Sequence, residues 1–161
     1  MKNILGLIIA LAFFSSCENQ VSENNNMSEL ISTDTAKLSK YIYINKFKPL
    51  KAKFKYMYFD NSASAQRMSV PGPSDSRIEG ILYFDDATFD SILTVYDKQE
   101  WTMYDIQKQY FNFEWLDKDV KEELEKTELE KAYMPDYFFT RSELGHCLLM
   151  DKKILFFKYS N

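Results

Sequence analysis

The chain has 161 residues, with 20 basic and 24 acidic side chains, a formal net charge of −4, one histidine and two cysteines. This length predicts a single folded domain rather than several. The acidic balance argues against a nucleic-acid-binding protein. One histidine and two cysteines exclude the usual zinc-ligand spacings, and nothing in the sequence predicts a cofactor.

The first seventeen residues have the pattern of an export signal. Lys2 precedes an apolar run over residues 4–14, and Ser15 and Ser16 follow directly before Cys17. A cationic start, a short apolar stretch and small residues before a cleavage site are typical of a secretory signal. The apolar run is shorter than the ~20 residues that a membrane-spanning helix needs. With its cysteine at the cleavage site, Phe14-Ser15-Ser16-Cys17 resembles the lipobox of bacterial lipoproteins, although Phe14 stands where leucine is usual.

The resemblance implies that residues 1–16 are a signal peptide and that Cys17 carries a lipid after cleavage. The membrane is then the expected partner, reached through lipidated Cys17. The expected location is the cell envelope, on the periplasmic or surface face of the outer membrane. Loss of Lys2 with the signal would change the net charge from −4 to −5. The alternative is an ordinary signal peptide in which Cys17 has no role.

Residues 17–36 are predicted to be a flexible polar tether. The stretch after Cys17 is rich in asparagine and glutamate and offers little apolar surface to bury. The remaining residues, 37–161, are predicted to form a single α+β domain.

The first half of this domain has two strand patterns and one helix pattern. Lys51–Tyr58 alternates lysine with mostly apolar side chains, which predicts a half-exposed strand. Residues 77–84 end in an apolar run and predict a second strand. Asp85-Asp86 offers a helix cap. An apolar stripe follows at helical spacing: Phe89, Ile92, Leu93 and Tyr96.

The second half predicts a strand, a helix and a hairpin. Aromatic alternation favours a strand at Tyr110–Trp115, and Asp117 is expected to cap a second helix with Val120 and Leu124 on one face. Apolar runs on both sides of Asp151-Lys152-Lys153 predict a C-terminal β-hairpin. The predicted architecture is therefore a single antiparallel sheet with about two helices packed on one face.

His146 and Cys147 are adjacent and could suggest a base and a nucleophile. Neighbouring residues of a strand point to opposite faces, so the two side chains are not expected to pair. The favoured interpretation is a buried Cys147 thiol and a rim His146, and no catalytic residue is predicted.

The Pro- and Gly-containing stretch 69–75 is the strongest loop signal in the chain. Arg67 and Arg77 flank it, and Ser74 and Asp75 add polar groups. A stiff loop of this kind suits recognition of a carboxylate or of a partner protein. The alternative, which we favour, is a structural turn whose arginines pair with nearby acids.

Two aromatic pairs, Trp101/Tyr104 and Tyr110/Trp115, could form a sugar-stacking platform, although such spacing is more often that of core residues. The sequence thus predicts a lipid-anchored envelope protein. The favoured hypothesis for its function is that it is a non-enzymatic module that binds another protein of the envelope. The alternative is a glycan- or small-ligand-binding lipoprotein, and a hydrolase ranks last. A concave groove lined by Trp101, Tyr104 or Trp115 would favour the ligand-binding alternative.

Overall fold

The computed structural model describes residues 21–24, 27–60, 74–97, 108–127 and 144–160. These residues form one antiparallel sheet in the order β1-β2-β3-β4-β6-β5. The strands are β1 (Val21–Asn24), β2 (Met27–Ser32), β3 (Lys51–Phe59), β4 (Asp75–Tyr83), β5 (Leu144–Met150) and β6 (Lys153–Ser160). The helices are α1 (Thr35–Leu38), α2 (Asp86–Asp97) and α3 (Lys118–Lys126), with a 3₁₀ turn at Lys108–Phe111. The predicted α+β class, with a single antiparallel sheet, is confirmed.

Alternate residues of the central strands divide the core into two clusters, one on each side of the sheet. The first face carries side chains of β3, β4, β5 and β6: Ala52, Phe54, Ile78, Leu82, Cys147, Ile154 and Phe156. The second face carries Ile81, Leu148, Met150, Leu155 and Phe157. The apolar run of β6 is therefore buried on both sides, because the strand lies between β4 and β5.

The two longer helices pack on opposite faces of the sheet, so the prediction of one shared face is wrong. Phe89 and Ile92 of α2 join the cluster on the first face, whereas Val120 and Leu124 of α3 join the cluster on the second face. The physical reason is that β5, β6 and the C-terminal half of β4 carry apolar side chains on both faces, and each apolar face must be shielded from water. The Asp85 cap is confirmed, because its carboxylate accepts from the Thr88 N–H at 2.8 Å. Asp117 directly precedes α3 as expected, but its side chain makes no cap hydrogen bond and pairs with Lys53 instead.

The predicted tether is wrong for the part of it that the structure describes. β1 and β2 pair antiparallel with each other, and β2 pairs with β3 from Met27↔Phe59 to Ser32↔Phe54. Ser32 is buried, and Glu29 pairs with Lys55 of β3 at 2.8 Å. Pairing with neighbouring strands thus orders this segment, although its low apolar content suggested a flexible tether. The domain begins before residue 37, and Cys17 lies outside the described residues.

The C-terminal hairpin is confirmed, with β5 and β6 joined at Asp151-Lys152. Lys152 has a φ of 53°, the left-handed conformation that tight hairpin turns require. Its carbonyl accepts the Phe84 N–H at 3.0 Å, and its ammonium pairs with Asp86 at 2.9 Å. The turn is thereby attached to the start of α2. No helix among the described residues is both long and apolar enough to cross a bilayer.

Candidate binding cleft

A cleft of about 360 Å³ lies on the second face of the sheet, over β3 and β4. This volume is within the range of small-ligand sites. Its floor is formed by Lys55, Met57, Arg77 and Glu79, and its wall by Gln109, Tyr110, Asn112, Phe113, Glu114 and Trp115. The lining therefore combines aromatic rings, side-chain amides and charges of both signs.

The wall of the cleft is a turn-rich segment rather than the strand predicted at Tyr110–Trp115. The Phe113 N–H bonds to the Phe111 carbonyl at 3.0 Å, and the Leu116 N–H bonds to the Phe113 carbonyl at 3.1 Å. Phe111, Phe113 and Leu116 are buried against the second face. Because the inward side chains and local hydrogen bonds fix this backbone, the intervening Tyr110, Asn112 and Glu114 are exposed.

A hydrogen-bonded chain joins the wall to the floor. The indole N–H of Trp115 donates to Oε1 of Glu79 at 2.6 Å, and Oε2 of Glu79 pairs with Nη2 of Arg77 at 2.9 Å. Glu79 is 7% exposed, so its charge is compensated by these two donors. The Trp115 ring also stacks on Phe113 with a centroid separation of 5.6 Å. The indole orientation is therefore fixed from two sides.

Arg77 lies over the rings of Phe157 and Tyr159, with its guanidinium carbon 5.9 Å and 5.3 Å from their centroids. Its Nε is buried and, among the described residues, has no hydrogen-bond partner. Arg77 thus lines the cleft, and its Nη2 forms the ion pair with Glu79. This pairing with a nearby acid is the structural interpretation that the sequence favoured for the flanking arginines.

Two lysines of β3 connect the floor of the cleft to neighbouring elements. Lys53 donates to the Trp115 carbonyl at 3.3 Å and pairs with Asp117 at 3.0 Å, so it connects β3 to the end of the wall. Lys55 is paired with Glu29 of β2. The two lysines therefore help to position the site.

Most of the predicted recognition loop, including Arg67, lies outside the described residues, as do Trp101 and Tyr104. Ser74 is half-buried, and Asp75 is the first residue of β4. Of the predicted site residues, the structure brings Arg77 and the Tyr110/Trp115 pair into one cleft. Glu79 was not predicted to be a site residue. It lies 36 positions from Trp115 in the sequence, and no motif links the two residues.

His146 and Cys147 point to opposite faces, as predicted. Cys147 belongs to the cluster on the first face, and burial raises the pKa of its thiol well above the ordinary value. The His146 ring packs on Phe157 of the second face at 5.1 Å, and burial lowers its pKa. The two side chains do not form a nucleophile–base pair.

Within the described part of the chain, no group of three His, Cys, Asp or Glu side chains could hold a metal ion. The aromatic and polar cleft is the candidate site that the described residues form. No protein-family model, no curated protein and no solved structure matches the chain.

Proposed function

We propose that the chain is a lipid-anchored, non-enzymatic binding protein of the bacterial cell envelope, and that its cleft binds a small sugar-like ligand. The anchor part rests on the lipobox resemblance at Cys17. The ligand part rests on one observation, the concave cleft whose wall carries Tyr110 and Trp115.

The lining matches the chemistry of a sugar ring. An aromatic face packs against the C–H groups of a sugar, while amides and charges bond its hydroxyls. Tyr110 is 52% exposed and offers such a face, and Asn112 and Glu114 are exposed beside it. Among the described residues, no cation lies within ion-pair distance of the Glu114 carboxylate, which leaves its oxygens as acceptors for hydroxyl groups.

The proposal contains no catalytic step. Glycoside hydrolysis needs two carboxylates, one of which must give up and take back a proton. Both oxygens of Glu79 already accept donors, from Trp115 and Arg77. Glu114 is then the remaining carboxylate in the described lining, and one carboxylate does not form an acid–base pair.

A panel of soluble oligosaccharides, screened by saturation-transfer NMR against the mature chain carrying Cys17→Ser, tests the ligand proposal. Tyr110→Ala should weaken binding of a hit about three- to tenfold, the amount expected for loss of one aromatic contact. Tyr43→Ala is the matched control, because Tyr43 is 56% exposed and its segment packs on the opposite face of the sheet. An absence of sugar binding, or equal losses in the two variants, would contradict the proposal.

A further inference from the structure

A second surface lies on the first face, on the segment that leads into β3. The segment is fixed to the core because Ile44 and Phe47 are buried, and the Leu50 N–H bonds to the Tyr83 carbonyl at 2.8 Å. The side chains of Tyr43, Lys46, Lys48 and Leu50, which alternate with or flank these fixed points, are exposed. We call these four residues the Tyr43–Leu50 surface.

This surface combines exposed apolar groups with positive charge. Tyr43 is 56% and Leu50 70% exposed, the two highest values among the large apolar side chains that the structure describes. Residues 35–59 contain seven lysines and no acid. Lys53 and Lys55 are paired with acids of other elements. In the part of the chain that the structure describes, no carboxylate lies within ion-pair distance of Lys40 or Lys48.

The register of the sheet shows that the chain approaches β1 from the side of this surface, although β1 itself begins five residues beyond Lys51 along β3. Val21 is level with Leu30 and Tyr56, and β1 runs in the same direction as β3. The chain therefore enters β1 from the end of the sheet at which β3 begins, directly after Leu50. Cys17 precedes Val21 by four residues, so their Cα atoms are at most about 14 Å apart.

We propose that the Tyr43–Leu50 surface docks on anionic phospholipid head groups of the membrane that holds the Cys17 anchor. This inference rests on the proposed lipid anchor, but not on the proposed sugar ligand. Lysines near an anionic surface each strengthen association by roughly fivefold, and tyrosine and leucine side chains enter the interfacial region. The cleft lies on the other face of the sheet, so docking leaves it open to ligand.

Lysine acetylation of the lipidated protein on vesicles tests the docking. The protein, anchored through the lipid on Cys17, is reconstituted into phosphatidylcholine vesicles that contain either no phosphatidylglycerol or about 30% of it, which gives a strongly anionic surface. The rate at which each lysine is acetylated is measured by mass spectrometry. Lys46 and Lys48 should react about fivefold or more slowly on the anionic vesicles. Lys118 and Lys126 of α3 should react equally on both, because α3 covers the opposite face.

Charge reversal separates docking from a general effect of the vesicles. Lys46→Glu/Lys48→Glu should remove the protection of Lys40 on anionic vesicles, whereas Lys118→Glu/Lys126→Glu should keep it. Equal rates on the two vesicles, or equal protection of α3, would overturn the proposal. Absence of lipid from the peptide that contains Cys17 would also overturn it. The mass of that peptide identifies a failure of the anchor separately from a failure of the surface.

Discussion

The indole N–H of Trp115 donates a 2.6 Å hydrogen bond to the carboxylate of Glu79, across 36 positions of sequence. Glu79 belongs to the central strand β4, and Trp115 ends the wall of the cleft. This contact therefore attaches a segment without strand or long helix to an inner strand of the sheet. The same carboxylate also pairs with Arg77, so Glu79 accepts hydrogen bonds from two side chains that line the cleft.

Replacement of Glu79 by glutamine should destabilise the domain and loosen the cleft wall. Glu79→Gln removes the charge that compensates the partly buried Arg77, and an unsatisfied buried group costs about 1–3 kcal/mol. Urea unfolding followed by circular dichroism measures this loss. Glu122→Gln is the control, because Glu122 makes an exposed 3.5 Å pair with Lys118 that should contribute less than ~0.5 kcal/mol. Equal effects of the two substitutions would show that the Glu79 contacts add no stability.

The N-terminal strands should contribute measurably to thermal stability. A chain that begins at Thr33 lacks β1 and β2, exposes the edge of β3 along the six residues Phe54–Phe59 and loses the Glu29–Lys55 pair. Its melting temperature should fall by more than about 4 °C, since ~1 kcal/mol shifts a domain of this size by about 2–4 °C. A chain that begins at Val21 should melt like the mature protein. A Thr33 start with unchanged melting temperature would support the tether that the sequence suggested.

Gly80 should not tolerate a side chain. A Cβ at this position would lie 2.5 Å from Cε1 and Cζ of Phe156 and 3.0 Å from Cβ of Phe54. Gly80→Ala should therefore cost about 1–3 kcal/mol through overpacking. Phe156→Leu in the same chain should recover part of this loss, because it removes the ring that the new methyl group meets. A double-mutant cycle in urea measures the coupling, and strictly additive losses would contradict the contact.

Stability should depend on the protonation of His146. Burial lowers the pKa of His146 in the folded state, so the unfolded chain binds the proton more readily. The stability that neutral His146 provides is therefore complete above the unfolded value near 6.5 and declines as the pH falls through it. Between pH 7.5 and 5.5 the wild type should lose more unfolding free energy than His146→Gln. Parallel pH profiles would show that His146 titrates equally in both states.

The elements whose side chains follow one strong period could be predicted from the sequence. The alternation of Lys51–Tyr58 and the stripe of Phe89 and Ile92 correspond to β3 and α2. Asp151-Lys152 between two apolar runs corresponds to the C-terminal hairpin. In these cases the local pattern and the tertiary environment favour the same structure.

The remaining features depend on partners distant in sequence. β2 has only six residues, of which three are polar, and its pairing with β3 cannot be read from its own composition. The aromatic alternation of Tyr110–Trp115 arises because Phe111 and Phe113 pack inward from a turn-rich segment, not from a strand. The Glu79–Trp115 bond joins two elements with no shared motif, so the cleft could not be predicted as a unit.

The indole N–H signal of Trp115 in a two-dimensional ¹H–¹⁵N spectrum tests the binding cleft most directly. The chain has two tryptophans, and a Trp115→Phe variant assigns the two indole signals. Titration with an oligosaccharide identified in the screen should shift the Trp115 indole signal progressively to saturation, because the ring lines the cleft and its N–H is bonded to Glu79. A sugar that binds while leaving the Trp115 indole signal unmoved would contradict the proposed site.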